Sequence, residues 1–341
     1  MVFLLYFSLS GNRLVQMFSE NPDSLNKLYS RCSLCPRKCL VDRNAGQKGF
    51  CGETAKVRLS FAGLHFGEEP PLSGKGGSGT VFFTGCPLRC PFCQNYQISR
   101  EGSGRYVDKY EFADILLKLQ DAGAENINLV TPSHMLPSVS EYIDFAETQG
   151  LKLPAAWNSS GYETTEVIEH ASSFIDIWLP DIKTLSSETA ARIYGAPEYP
   201  EAAKAAVEQM VSAGSMEIDS EGRMLKGVIV RHLVLPGELE STRTVMRWFS
   251  ENLYGRAMFS LMMQYTPVFI PGETKAVPQR QLEQSEFEKV VEWLDYYGIE
   301  DGFYQELVPG DSWLPDFNRH NPFSSPLSKV IWNFKEGFVS R

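Results

Sequence analysis

All seven cysteines of this 341-residue chain fall between residues 32 and 93, at positions 32, 35, 39, 51, 86, 90 and 93. An odd number in two tight groups does not describe a disulfide framework, which spreads an even number through a small secreted domain. Tight thiol groups in a large chain describe metal ligation in a reducing compartment, so a cytoplasmic location is expected. The chain is 43% hydrophobic, enough to bury a full core, and its 22% of charged residues matches a folded domain. A net charge of -10 argues against a nucleic-acid partner bound by bulk electrostatics. No run approaches the roughly 20 apolar residues of a membrane helix, so no membrane association is expected. Val2 to Leu9 is apolar but lacks a basic flank and a small-residue cleavage site. It reads equally as a segment preceding a start at Met17 and as a disordered or docked lead.

From Thr80 onward the texture alternates between strand and helix. Thr80–Thr84, Asn126–Val130, Leu153–Trp157, Phe174–Leu179, Val228–Leu235 and Phe259–Gln264 are apolar, β-branched or aromatic runs, and Phe303–Leu307 is a candidate last strand. Between them lie helical stretches. Asp108 reads as an N-cap with Glu111 three residues on, followed by Phe112, Ile115, Leu116 and Leu119 on one face. Further helices are expected at 138–148, 164–172, 200–213 and 241–253, and Ser285 reads as opening another with Glu288 three residues on. Such alternation means a parallel sheet covered by helices. The length, somewhat short of the ~250 residues of an eight-fold barrel, predicts an α/β fold: a partial parallel (β/α)6 barrel over residues 79–307. Residues 1–30 are expected to be a flexible lead, 31–78 a Cys-rich metal module, and 308–341 a tail that wraps the barrel. Gly74 to Gly79 lacks the order of a phosphate-binding loop and reads as a turn.

The chemistry is concentrated in Gly85-Cys86-Pro87-Leu88-Arg89-Cys90-Pro91-Phe92-Cys93, directly after the first barrel strand and so at the end of the sheet where barrel active sites lie. Four cysteines would saturate a [4Fe-4S] cubane; three hold three irons and leave one open for an exchangeable ligand such as the amino and carboxylate groups of a methionine moiety. The upstream group, Cys32-x2-Cys35-x3-Cys39-x11-Cys51, offers four thiolates instead. That set closes a coordination sphere around zinc or around a second [4Fe-4S] cluster, and the spacing does not separate the two.

The C-x3-C-x2-C loop resembles the signature of the radical S-adenosylmethionine (SAM) superfamily. The flanking strings His65-Phe66-Gly67-Glu68-Glu69-Pro70-Pro71, Gly79-Thr80-Val81-Phe82-Phe83 and Cys93-Gln94-Asn95-Tyr96-Gln97-Ile98-Ser99 resemble an uncharacterised branch related to the pyruvate formate-lyase activating enzymes. The resemblance implies a partial barrel, a [4Fe-4S] cluster on Cys86, Cys90 and Cys93, and SAM as the group that is cleaved reductively to a hydrogen-abstracting 5′-deoxyadenosyl radical. It also implies an electron donor such as a flavodoxin or ferredoxin, and a substrate of which a protein, in activase fashion, is one class. A small molecule or a nucleic-acid base is the alternative, and a two-cluster electron carrier is the non-enzymatic rival.

The resemblance further suggests cofactor-binding residues. Phe92 is a candidate to pack on adenine. Where the family has a Gly-Gly-Glu stretch this chain has Thr131-Pro132-Ser133-His134, so Ser133 or His134 is the candidate for the SAM amino group. Asn158 and Ser160 stand in the turn after the third strand, and Asp181-x-Lys183 matches a family pair at the methionine and ribose end. His232 is a candidate for the SAM carboxylate, with the proviso that Arg231 and His232 face opposite sides of a strand. Gln264, Tyr265 and Gln305 are candidates for substrate contact.

Overall fold

The computed structural model describes residues 22–339, apart from 276, 308, 309, 312 and 325. In chain order the elements are helix α1 (Pro22–Ser30), β1 (Arg58–His65), α2 (Pro70–Ser73), β2 (Ser78–Phe83), α3 (Tyr96–Ser99), β3 (Arg105–Tyr106), α4 (Lys109–Asp121), β4 (Ile127–Val130), α5 (Leu136–Thr148), β5 (Ala155–Ser159), α6 (Thr165–Ala171) and β6 (Ile177–Pro180). They continue with α7 (Ser187–Thr189), α8 (Tyr199–Ser212), β7 (Glu217–Ile218), β8 (Met224–Leu233), α9 (Leu239–Leu253), β9 (Met258–Met262), α10 (Gln284–Tyr296), β10 (Gly302–Tyr304), β11 (Ser328–Asn333) and β12 (Gly337–Phe338).

The main sheet runs β10-β9-β8-β6-β5-β4-β2-β1-β11-β12, and every neighbour pair from β10 to β2 is parallel. This is the partial parallel barrel, with antiparallel strands added at one edge. Side-chain alternation sorts its two faces. Leu129, Trp157, Trp178 and Val230 point outward into the core shared with the helices. Ala156, Leu179 and Ile229 point inward and pack on one another. The register pairs Val130 with Asn158 and Asn158 with Leu179, so the inward residues form rungs, polar ones among them near the strand ends.

The helix signals locate the helices to within a residue or two. Asp108 caps α4 by accepting from the Tyr110 and Glu111 amides. The Glu111 carboxylate does not close the box expected of it. It accepts from Trp332 Nε1 at 2.9 Å and pairs with Arg105. The last helix starts earlier than the Ser285 signal, because Glu283 and Glu286 make the capping box.

Three boundary expectations are corrected. Pro22–Ser30 is not part of a flexible lead: Tyr29 is buried, its hydroxyl lies 3.1 Å from Ser138 Oγ on α5, and the Arg43 guanidinium stacks over its ring at 4.7 Å. Residues 1–21, including Val2–Leu9 and Met17, lie outside the described residues. The cysteine module is shorter than 31–78, since β1 already belongs to the main sheet through its pairing with β2. The tail does more than wrap: β11 pairs antiparallel with β1, and Trp332 is fully buried against the outer core. Replacing Trp332 by Ala is expected to cost about 3–5 kcal/mol in urea unfolding, the range for a buried aromatic; a cost under about 1 kcal/mol would mean that β11 is not part of the cooperative core.

Candidate active site

The strand ends from β2 to β10 converge on a cavity of about 390 Å³. Cys86, Cys90 and Cys93 line it, on the loop that joins β2 to α3. This loop is braced from behind. Arg100 donates to the Cys90 and Arg89 carbonyls, and the Ser99 hydroxyl points at Cys93 Sγ from 3.3 Å. Its first residue, Gly85, has φ +76°, and a Cβ there would stand 2.6 Å from Glu53 Cγ and 2.7 Å from the Cys51 carbonyl oxygen. Glycine is therefore needed both for the left-handed turn and for room, because the upstream cysteine module is packed directly on the loop.

The thiols are set in a medium that resists ionisation. Burial pushes Cys86 up to about 11 and Cys90 higher still, while the Lys183 ammonium works in the opposite direction on both. Burial works to strip Lys183 of its proton, but Asp181 together with Cys90 and Cys93 holds the Lys183 pKa above its ordinary value. Their Nζ–Oδ2 contact is 2.5 Å, and both residues line the cavity as the family pattern implies. Gly161, also left-handed, lets this turn close: a Cβ there would sit 2.4 Å from the Asp181 carbonyl oxygen. The Tyr199 hydroxyl ties the same turn to the next one, since it accepts from the Lys183 amide at 2.9 Å and lies 2.8 Å from the Ser160 carbonyl. Asn158 and Ser160 line the cavity as expected, and so do Gln264, Tyr265 and Gln305. Phe92 lines it too, with its ring edge-on to Tyr194 at 6.0 Å and Tyr265 at 5.5 Å.

Three expected contacts do not reach the cavity. Ser133 is buried and donates to Glu163, behind the strand ends. His134 is buried with Nε2 2.8 Å from the Thr84 carbonyl, and burial lowers its pKa to about 3. Both are structural braces. The residue of that stretch that faces the cavity is Thr131, a β-branched residue at φ +62° whose amide donates to the Asn158 carbonyl at 2.7 Å. A positive φ is rare for such a residue and marks strain stored at the site. His232 faces outward, as alternation demanded of one of the two neighbours. Its Nδ1 lies 2.6 Å from the Ile182 carbonyl and its Nε2 2.9 Å from Thr242 Oγ1 on α9. Arg231 is the neighbour that turns in.

Arg231 brings in residues that the sequence reading quoted without assigning a role. Its Nε donates to Glu69 Oε1 at 2.8 Å, and its Nη2 pairs with both Glu68 and Glu69. Burial works to raise the Glu69 carboxyl, but Arg231, with a backbone amide and the Ser260 hydroxyl, holds it low. Glu68, His65 and Arg231 all line the cavity, and the His65 ring packs on Phe323 with centroids 4.7 Å apart.

Residues 80–249 match the family described as the Radical SAM superfamily. The chain belongs to that superfamily. An uncharacterized protein of Methanocaldococcus jannaschii, MJ0674, is 28% identical over 286 residues, covering 80% of this chain and 77% of that one. Among solved structures, SuiB of Streptococcus suis bound to precursor peptide SuiA matches 65% of this chain and 46% of its own at 14% identity and a TM-score of 0.47. The chain thus spans about half the length of that neighbour. Methylornithine synthase (PylB) matches 94% of this chain and 84% of its own at 16% identity and a TM-score of 0.44. The superfamily implies a [4Fe-4S] cluster and SAM. The donor set fits both: three thiols on one loop, facing a cavity that also holds a charge pair and an aromatic ring. In this radical SAM enzyme Cys86, Cys90 and Cys93 are the residues that would hold the cluster, and Lys183, Asp181, Asn158 and Ser160 line the same cavity. Among the described residues no group of three or more His, Cys, Asp and Glu side chains is drawn together to hold a metal ion, and no helix is long and apolar enough to cross a membrane.

Two expectations follow. Lys183→Met removes the cation next to the loop, and SAM affinity measured by equilibrium dialysis should fall about tenfold or more, the equivalent of about 1.4 kcal/mol. His232 is held neutral by burial, which lowers it from 6.5 to about 4. Between these values the unfolded chain takes up a proton that the folded chain refuses, so stability is complete above the upper value and falls as the pH drops toward the lower one. Urea unfolding at about pH 7 and about pH 5 should show a smaller acid loss for His232→Gln than for the wild type.

Proposed function

We propose that this radical SAM enzyme removes a hydrogen atom from a small polar molecule held against a wall formed by His65, Glu68, Arg231 and Phe323. The observation that carries this reading is where the wall comes from. His65, Glu68 and Phe323 lie outside the matched residues 80–249, yet they line the same cavity as the cysteine loop. A buried ion triad and an aromatic face recognise a compact polar solute, and the described residues Trp313, Pro315, Phe323 and Leu327 of the tail line the same cavity.

When bound, the cluster and SAM would supply a one-electron reductive cleavage, whose 5′-deoxyadenosyl radical takes hydrogen from carbon. The protein's own part is binding, orientation and exclusion of water. Lys183 offers a cation to a carboxylate, and Asp181 keeps that cation charged. Phe82, Val130 and Phe323 give the cavity apolar surface, which disfavours water beside a reactive species. Glu69, bonded to Arg231, positions the guanidinium.

The activase-like reading places a backbone glycine of a partner protein in the same position. It is supported by the strings shared with the activating-enzyme branch and by Phe269, 85% exposed on the loop after β9, as an apolar handle for a protein. The electron-carrier reading leaves a cavity lined by Asp181, Lys183 and Arg231 without a purpose.

The four upstream cysteines are proposed to hold a second metal, zinc or a second [4Fe-4S] cluster. Burial pushes Cys35 up to about 12, with Cys51, Cys32 and Cys39 near enough to raise it further. A metal that takes the protons of buried thiols and draws the four together would stabilise them.

Anaerobically reconstituted protein with dithionite and SAM should release 5′-deoxyadenosine, and Cys90→Ala should abolish it. A low-mass cell fraction should then stimulate release more than a protein fraction does. Stimulation by the protein fraction alone, with a glycine-centred doublet in the EPR spectrum, would establish the activase reading instead. Cys35→Ser should lower the metal content by one zinc or by about four irons while Cys86, Cys90 and Cys93 keep theirs; an unchanged metal content sinks the second site.

A further inference from the structure

The cavity is served from both ends of the barrel. Strand β1 runs antiparallel to β2 and ends with His65 beside Ser78, the first residue of β2. The cysteine loop leaves the other end of β2. After His65 the chain turns in under the barrel, where Leu72 of α2 packs on the inward residues Ala156, Leu179 and Ile229. Glu68 and Glu69 therefore come in from the end opposite the cysteine loop, and Arg231 meets them from β8.

That end carries one carboxylate too many. Apart from the cysteines, the charged residues that line the cavity are, among the described residues, Glu68, Asp181, Lys183 and Arg231. Asp181 matches Lys183. Arg231 is left to face both Glu68 and Glu69, and the side chains of all three are almost fully buried. A buried charge without its counterpart is costly. His65 does not supply the missing cation, because burial lowers its pKa against the pull of Glu68.

Hydrogen-bonding capacity is unspent there as well. His65 Nδ1 is buried without a partner among the described residues, and so are both amide atoms of Asn128. Asn128 is fully buried and stands two residues before Val130 on β4, so it shares the inward face one rung deeper. Buried polar atoms in this condition await a bound group. Trp313 Nε1, on the cavity wall, is a further one, a donor for an oxygen of that group. Aromatic faces lie around them: the Phe323 ring is centred 4.7 Å from His65 and 5.5 Å from Phe82.

We propose that the molecule held at this end is a small amine, bound as its ammonium ion, and that Glu68 is the residue that selects it. The inference rests on the reading that a small polar molecule is held against the wall of His65, Glu68, Arg231 and Phe323. The ammonium balances the surplus carboxylate and donates to it. It also donates to His65 Nδ1, in the tautomer that carries the ring proton on Nε2. The Phe82 and Phe323 rings present faces that attract a cation. An anion would be repelled by Glu68, and the guanidinium that could receive it is already engaged through Nε and Nη2. A neutral solute would leave the surplus charge buried. The sulfonium of SAM is the other cation at hand, but the three thiols that would hold its cluster stand at the opposite end of β2.

The test uses the full-length, cluster-loaded protein with SAM and three probes of one size, n-butylammonium, n-butyrate and 1-butanol, in equilibrium dialysis at about pH 7, where the amine is charged. n-Butylammonium should bind roughly tenfold or more tightly than either of the others. Glu68→Gln should lose that preference. Glu68→Asp keeps the charge and should keep the preference, which separates loss of charge from loss of fold. Equal affinity for the three probes, a preference for n-butyrate, a preference that survives in Glu68→Gln, or its loss in both variants overturns the inference. So does a fall in the SAM affinity of Glu68→Gln as large as the fall for n-butylammonium, which would assign the carboxylate to the cofactor. A low-mass cell extract, split on a cation exchanger at about pH 7, separates the two levels. Stimulation of 5′-deoxyadenosine release by the retained part supports the inference. Stimulation by the unretained part alone overturns it and leaves the small-molecule reading standing. Stimulation by neither part removes that reading and the inference with it.

Discussion

The register of the parallel ladder is the constraint on which the site depends. Along the path β2-β4-β5-β6-β8-β9 each strand pairs with its neighbour in the same direction, so every one of them delivers its last residues to one end of the barrel. Side chains alternate, so one residue of slip in any strand would exchange its cavity-facing set for its core-facing set. Arg231 and His232 show the stake. One holds two glutamates inside the barrel and the other is locked to α9 outside it. Outward packing by Trp157 and Trp178, too large to be accommodated on the inner face, is what holds the register in place.

Electrostatics inside that frame is arranged around burial. The cysteine loop sits where thiols hold their protons, and Lys183 is the charge that opposes this. Lys183 in turn needs Asp181, and the turn that carries both needs Gly161 and Tyr199 to close. The Arg231 triad is the second buried charge system. Its two carboxylates come from β1's end and its cation from β8, so it ties the antiparallel edge to the far side of the barrel. Buried ion groups of this kind specify geometry more than they stabilise it.

Much of this was legible in the sequence, and the reasons are physical. Helices announce themselves through caps and a long apolar period, as at Asp108 and Thr164. Buried parallel strands read as apolar runs, and a cysteine spacing is chemistry in itself. Strand β1 was not legible, since one of its two partners, β11, lies far along the chain. Nor was the inward turn at Thr131, because a strained left-handed threonine carries no propensity signal. Ser133 and His134 looked like ligands because they are polar beside the site; the structure uses that polarity to satisfy backbone and Glu163. His65-Phe66-Gly67-Glu68-Glu69 was recognisable as a string, but its partner Arg231 could be found only in three dimensions.

The pairing of β1 with β11 has a consequence for how the molecule comes into being. β1 is among the first strands to leave the ribosome and its partner follows long after the barrel helices. Through that interval one flank of β1 carries a row of bare amides and carbonyls, the kind of edge that recruits stray strands. The same interval leaves Phe323 and Leu327 missing from the cavity wall, so the nascent barrel presents its cysteine loop to solvent through a wider mouth than the finished protein has.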